Sequence, residues 1–473
     1  MNVDGAQTPV SGGIFGILLE QNYNVVNGGL YVGKNSSIPN TRGMRNDIIQ
    51  GFKDIHLGAM EWPGGCTGNS FNFQPTSPSN TMGTDDYMWL TGTLGIDPMI
   101  TGSGMSADAN RNLQWVTYIN NNSANPDWHL KTFKVGNEVW GCGGNQTEAM
   151  YEPNYLASYN LLHTPINGKP VNVVAGTGLI SSWQPWLMSE LTGTMKGKID
   201  GIEVHDYLYH PSDIPTVGFT NDQYYNIVNA ANAGQIGPRL DAIVSLLNTQ
   251  DPTNHIKIYE DEWGDWLKGT AQPGSSSSCT GVCFQQCTVM DAISTAEQLH
   301  IFMKHADRVV MAGLSQAIND IHALFLTRSS DGALVKTPSF YVFKMFVPHH
   351  SCDARWAPST LTSATINGNN TTFPVLSAGA TVDSAGRVNI SVANVDLTGS
   401  RSISIALTSS RSAYTVSTAQ ILTGPQKDSY NDFGAAEAVT TQILPATSYA
   451  VCGKSVTVSV PPKSVVMLVL TPQ

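Results

Sequence analysis

The stretch Phe133-Lys134-Val135-Gly136-Asn137-Glu138-Val139-Trp140-Gly141 decides how this chain is read. A short strand-like run, 133–135, stops at a glycine and is followed at once by an amide and a carboxylate. Ile258-Tyr259-Glu260-Asp261-Glu262-Trp263-Gly264 repeats the design, again with a carboxylate closing a β-run before Trp and Gly. Working outward, apolar or β-branched runs recur at 14–19, 59–62, 97–101, 133–135, 173–175, 202–204, 256–259 and 309–311. Between them, apolar residues at three-and-four spacing predict helices over 44–55, 85–94, 154–162, 240–247 and 289–305. Eight strands alternating with helices predict an α/β fold, a (β/α)8 TIM barrel over residues 13–350. A doubly wound sheet fits less well, because no Gly-rich phosphate loop follows the first run. Beyond residue 351 the helical period vanishes, and alternating segments at 387–392, 402–407, 413–422, 455–460 and 464–470 predict an antiparallel, jelly-roll-like β-sandwich over 351–473. Residues 1–12 are expected to add a strand to it.

In such a barrel the residues that follow each strand converge on one mouth. They are Glu20 and Gln21, Glu61 to Cys66, Asn137 and Glu138, His205 to Tyr207, Glu260 to Trp263, and Gln316 to Asn319. Glu138 and Glu262 close the fourth and seventh runs, which face each other across an eight-stranded barrel. Two facing carboxylates are what retaining glycoside hydrolysis needs, one as acid/base and one as nucleophile. A single glutamate at a strand end is more often a surface charge, so the pairing carries the argument. Tryptophans are more often core than sugar platforms, yet Trp62, Trp140 and Trp263 all fall at strand ends. His205 becomes a pocket candidate through its neighbour Tyr207.

Composition narrows the classes. The 473 residues carry a net charge of −11 and only 13% charged side chains, about half the usual share. No basic surface exists for nucleic acid or an anionic membrane, and no apolar run reaches the roughly 18 residues of a membrane span. The amide- and hydroxyl-rich remainder suits a secreted or periplasmic protein, although the N-terminus shows no leader and a cytoplasmic protein would also fit. The sequons at Asn121 and Asn389 agree with secretion. Seven cysteines cannot all pair internally. Cys279, Cys283 and Cys287 read as a local disulfide pinning a Ser-rich loop rather than a metal set, and Cys352 and Cys452 as a second bridge. Cys66 and Cys142 are either thiols or a disulfide.

The segments Gly28 to Gly33, Ser37 to Asp47, Trp62-Pro63-Gly64-Gly65-Cys66, Asn80 to Thr84, Gly136-Asn137-Glu138-Val139-Trp140-Gly141-Cys142-Gly143-Gly144, Asp261-Glu262-Trp263-Gly264 and His305 to Val309 resemble, in order, the α-L-arabinofuranosidases of glycoside hydrolase family 51. The resemblance implies Glu138 as general acid/base, raised by burial, and Glu262 as nucleophile. It also implies that Asn137, Glu20, Cys66 and Tyr207 hold sugar hydroxyls. His205, Trp62, Trp263 and His322 complete the candidate binding residues. The implied reaction is exo-acting, retaining removal of arabinofuranose from arabinoxylan, arabinan or their oligosaccharides, with no metal or organic cofactor. The resemblance also suggests a homo-oligomer. The chain departs from the family where Glu61 replaces an Arg before Trp-Pro-Gly-Gly, where Ile17 and Gln21 replace His, and where His322 stands in for a Gln. A Glu at 61 adds like charge beside the nucleophile, so either another cation substitutes or the pH behaviour differs. The Ser- and Cys-rich insertion at 267–288 is placed to wall the pocket. Two other readings compete, a β-xylosidase or endo-glucanase on the same barrel and a non-catalytic carbohydrate-binding protein.

Overall fold

Each apolar run pairs in parallel with the next, and the series closes on itself. In the computed structural model, which describes all residues except 23, 74–80, 179–181, 210–213, 274–282, 329, 352 and 369, the barrel strands are β1 Gly16–Leu18, β2 Ala59–Trp62, β3 Asp97–Gly102, β4 Thr132–Val135, β5 Asn172–Ala175, β6 Gly201–Tyr209, β7 Lys257–Trp266 and β8 Val309–Leu314. Closure is made where Gly16 of β1 pairs with Gly313 of β8. The predicted helices are present, lengthened to Glu148–Leu162 and Ile236–Gln250 by turns whose polar faces hid them. The sequence reading passed over Ala109–Asn120, Trp183–Thr192, Asn221–Asn229 and Pro338–Phe346, whose apolar spacing is short or diluted by Asn and Gln.

Strands β6 and β7 outrun their apolar segments, and this builds the mouth. Pairing continues past His205↔Glu262 and Tyr207↔Gly264 to Tyr209↔Trp266, with a register shift between Glu203 and His205. Consecutive strand residues normally face opposite sides. The extra β7 residue relaxes that alternation, so that both Asp261 and Glu262 reach His205.

The helix Val289–Lys304 is buried from Val289 to Met303. It is covered by the C-terminal sheet, whose order is Arg355–Trp356, Leu376–Val382, Val388–Asn394, Ser464–Pro472, Tyr414–Thr423 and Gln442–Ile443. His300 on this helix reaches Ser377 Oγ and Ser391 Oγ, each at 2.8 Å, so a polar seam joins barrel to sandwich. A second sheet, Arg401–Ala406, Ser455–Val460 and Tyr449–Cys452, lies beyond. Residues 1–12 meet the sandwich through the isolated bridges Asn2↔Thr408 and Pro9↔Arg355. Among the described residues no helix is long and apolar enough to cross a membrane.

Two sequence expectations fail here. Asn389 is buried, donating to Pro348 O and Thr381 Oγ1, and is unavailable for glycosylation. Cys452 is an exposed free thiol at the end of its strand, so it is not bridged to Cys352, which lies outside the described residues. Cys283 is disulfide-bonded and Cys287 is a buried thiol; Cys279 and the tip of the 267–288 insertion lie outside the described residues.

Candidate active site

The turn after β4 is built to present Asn137 and Glu138. Gly136 takes φ +87° and Glu138 itself φ +41°, a left-handed conformation that costs a side-chain-bearing residue of order 1 kcal/mol and persists only where its surroundings enforce it. Asn69, on the helix Gly65–Ser70, supplies that enforcement. Its Oδ1 accepts from Asn137 N and its Nδ2 donates to Asn137 O, both at 2.9 Å. The Cys66–Cys142 disulfide ties the same helix to the loop that follows Glu138.

His205, from β6, stands between the two carboxylates. Its Nδ1 lies 3.3 Å from Glu138 Oε1 and 3.6 Å from Glu262 Oε2, and its Nε2 lies 3.3 Å from Asp261 Oδ1 and 3.6 Å from Glu203 Oε2. Oxygens of Glu138 and Glu262 approach within 4.8 Å around this ring. Tyr207 Oη donates to Glu262 Oε2 at 2.8 Å and lies 2.6 Å from Ser315 Oγ. Sequence reading expected Glu138 to be buried. In the structure the Glu138 side chain is 22% exposed and that of Glu262 only 7%. Burial pushes the Glu262 carboxyl up to about 8, against the pull of His205 and Lys134 and with help from Glu138 and Asp261.

Beneath this layer sits a buried ion cluster. Lys134 Nζ, fully enclosed, is 2.5 Å from Asp261 Oδ2, 3.0 Å from Glu61 Oε1 and 3.3 Å from Glu203 Oε2. The lysine therefore supplies the cation that Glu61 displaces from the family motif. Burial opposes both charged forms in the strongest pair. Their mutual attraction nonetheless holds Lys134 well above the ordinary lysine range and, with His205, takes Asp261 down to about 2. For Glu61 and Glu203 burial wins over Lys134, and each is pushed up to about 7. His205 is held well above the usual histidine range because burial is outweighed by Glu262, Glu203 and Asp261.

At the far side, Glu20 Oε1 accepts from Thr67 N at 3.3 Å and Oγ1 at 3.0 Å, while its Oε2 accepts from Gln316 Nε2 at 2.5 Å. The structure thus gathers Glu20, Asn137, Glu138, His205, Tyr207 and Glu262 at the strand ends. It places four other candidates elsewhere. Trp62 is fully buried in an aromatic stack with Tyr87, Trp115 and Phe71, its indole N–H given to Gln21 Oε1 at 2.7 Å. Trp263 is fully buried against Phe302 and Phe343. His322 is enclosed behind the barrel wall, accepting from Asp265 N and meeting the Thr295 and Ser339 hydroxyls, so Gln316 rather than His322 reaches the mouth. Cys66 is oxidised and has no thiol to offer a sugar. Trp266, the last residue of β7 before the 267–288 insertion, packs edge-on to Tyr207 at 5.2 Å between ring centroids.

Comparison with known proteins matches this geometry. Residues 261–464, which include Glu262, match the family described as Alpha-L-arabinofuranosidase C-terminal domain. An intracellular exo-alpha-L-arabinofuranosidase of Bacteroides ovatus is 28% identical over 97% of this chain and 92% of its own length. The crystal structure of a GH51 arabinofuranosidase from Xanthomonas axonopodis pv. citri superimposes with a TM-score of 0.86 at 26% identity, covering 99% of this chain and 98% of that one. This chain is a glycoside hydrolase that resembles the family 51 arabinofuranosidases over nearly its whole length. An α-L-arabinofuranosidase from Thermotoga maritima, at 20% identity and a TM-score of 0.80 with 100% and 99% coverage, shares its fold.

In this glycoside hydrolase some donor sets have metal-like spacing, notably Glu138, His205 and Glu262, and Asp265, Asp291 and His322. In the second set both His322 nitrogens are already engaged, and Asp291 caps its helix at Thr288. Sequence reasoning missed Lys134, Glu203, Asn69 and Ser315. Lys134 left one visible sign, a lysine inside an otherwise apolar run; the others have none, because their roles depend on which strands become neighbours.

Proposed function

We propose that the chain is an exo-acting α-L-arabinofuranosidase that works with retention of configuration, Glu138 serving as acid/base and Glu262 as nucleophile. The observation that carries the mechanism is the approach of Glu138 and Glu262 oxygens within 4.8 Å at the ends of β4 and β7. That spacing suits direct attack on the sugar, whereas inverting enzymes keep their carboxyls roughly 6.5 to 9.5 Å apart to admit a water. The sugar specificity is drawn from the relatives, among them the exo-acting Bacteroides ovatus protein.

Two carboxylates this close share a single proton near neutral pH. His205 faces both carboxylates, and Tyr207 donates to Glu262 alone. Glu138 gives a proton to the glycosidic oxygen as Glu262 attacks the anomeric carbon. A covalent glycosyl-enzyme forms and the aglycone leaves. Glu138, now ionised, takes a proton from water, which attacks the anomeric carbon and restores Glu262. Glu20, held by Thr67 and Gln316, is poised to accept from sugar hydroxyls across the mouth. The neutral, hydroxyl-rich exterior and the Cys66–Cys142 bridge favour an oxidising, extracytoplasmic setting and substrates such as arabinoxylan, arabinan and their oligosaccharides.

The test is a panel of 4-nitrophenyl glycosides with the product anomer followed by NMR. The reading expects turnover of the α-L-arabinofuranoside with the α-anomer released first. Turnover of the β-D-xylopyranoside alone, or first release of the β-anomer, would overturn it.

A further inference from the structure

Asn137 is held in an unusual way. Lys134 Nζ donates to its Oδ1 at 2.8 Å while touching Asp261, Glu61 and Glu203. An ammonium donates and never accepts, so it can face only the oxygen of the amide, and the amide orientation is fixed by that contact. The Asn137 side-chain nitrogen is thereby turned away, where it is buried and, among the described residues, without a hydrogen-bond partner. A buried amide N–H left unpaired costs about 1 to 3 kcal/mol, a cost that a bound hydroxyl would remove. Backbone forces do not set this amide, since Asn69 holds only the main-chain N–H and C=O of Asn137. Glu61 is fully enclosed, and its hydrogen-bonding Oε1 faces only Lys134 and the Thr101 hydroxyl.

We propose that Lys134 is a positioning residue that locks the Asn137 amide with Nδ2 toward the bound sugar, and that Glu61 serves to hold the lysine in place. This rests on the glycosidase reading above. It converts the one sequence departure that looked harmful, an acid in place of an arginine, into the contact that seats the lysine. The sugar hydroxyl beside the acid/base then completes the hydrogen bonding of Asn137, and the contact is ready before substrate arrives.

A double-mutant cycle between Lys134 and Asn137 tests it, read as kcat/KM on 4-nitrophenyl α-L-arabinofuranoside. Lys134→Met alone strands three buried acids and is accompanied by Glu61→Gln/Lys134→Met, which removes the pair together; Lys134→Arg is the conservative control. The Glu61→Gln/Lys134→Met variant is expected to lose about 10- to 100-fold, the range of one charge-assisted hydrogen bond, mainly in kcat. Adding Asn137→Ala to it is expected to bring kcat/KM no more than about threefold below Asn137→Ala alone, and Lys134→Arg to recover most of the rate. Losses that multiply across the cycle, or a folded Glu61→Gln/Lys134→Met enzyme as fast as wild type, would overturn the proposal. Wild-type protein inactive on this substrate but active on another glycoside would instead overturn the sugar assignment, and the same cycle would then be read on that glycoside.

Discussion

Removing one hydroxyl from the mouth tests how the nucleophile is kept ionised. Tyr207 Oη donates to Glu262 Oε2 at 2.8 Å, and Glu262 is a carboxyl that burial pushes up to about 8. Tyr207→Phe keeps the ring and its packing on Trp266 and deletes only the donor. A hydrogen bond to a charged group contributes about 1.5 to 3 kcal/mol. One pKa step corresponds to about 1.4 kcal/mol, so Glu262 should rise by a further one to two pH units. Because this bond favours the ionised form, its loss moves the acid limb of the kcat/KM profile upward. Below the limb the rate should fall about 10- to 100-fold; well above it the deficit should narrow. The buried Ser315 hydroxyl loses the same partner, so melting should be followed alongside. A folded Tyr207→Phe enzyme with an unmoved acid limb would refute the assignment of Tyr207 as support for Glu262, whatever the size of its rate loss.

Other consequences can be checked separately. Glu138→Ala should keep activity on aryl glycosides whose leaving group needs no proton and regain rate with added azide; loss on every substrate without rescue would mean that the two carboxylates are assigned the wrong way round. The Cys66–Cys142 bridge closes a loop with a sequence separation of 76, so Cys66→Ser/Cys142→Ser should lose about 2 to 4 kcal/mol in urea unfolding, and an unchanged midpoint would show that the loop is constrained by other contacts. Glu61 is pushed up to about 7 by burial, so the fold prefers its protonated form. Its contribution to stability is complete below about pH 4.5 and is lost as pH rises through 7. Glu61→Gln should therefore gain on wild type by about 2.5 kcal/mol between pH 5 and pH 8, and a difference that stays constant over that range would contradict it.

The barrel was legible because its strands are short apolar runs bounded by polar strand ends, and the sandwich because a period of two replaces helical spacing. The two carboxylates proposed as catalytic, Glu138 and Glu262, were singled out by the same feature. What stayed hidden depended on neighbours across the sheet. Trp62 and Trp263 fall at strand ends as sugar platforms would, yet both point away from the mouth, into aromatic packing behind it. The register shift between β6 and β7, which brings Asp261 and Glu262 to one histidine, leaves no trace in the alternation of those residues. His322 and Gln316 are both polar residues after β8, and only the fold of the intervening turn decides which of them meets Glu20.

Charge counting explains why so acidic a mouth can work. Glu61, Glu203, Asp261 and Glu262 all lie within reach of two cations, Lys134 and His205. Buried charge is stable only when paired, so two of the four acids can be ionised without excess. Asp261, at about 2, takes one of those places. Glu61 and Glu203 stand at about 7 and Glu262 at about 8, so three acids compete for the remaining one. Tyr207 favours ionised Glu262 in that competition. A neutral side chain at 61 or 203 would remove a competitor and should ease ionisation of the nucleophile, whereas loss of the charge on Lys134 should hand its share to protons and raise the acid limb. The acids beneath the mouth are therefore coupled to the reaction even though none of them needs to touch the sugar.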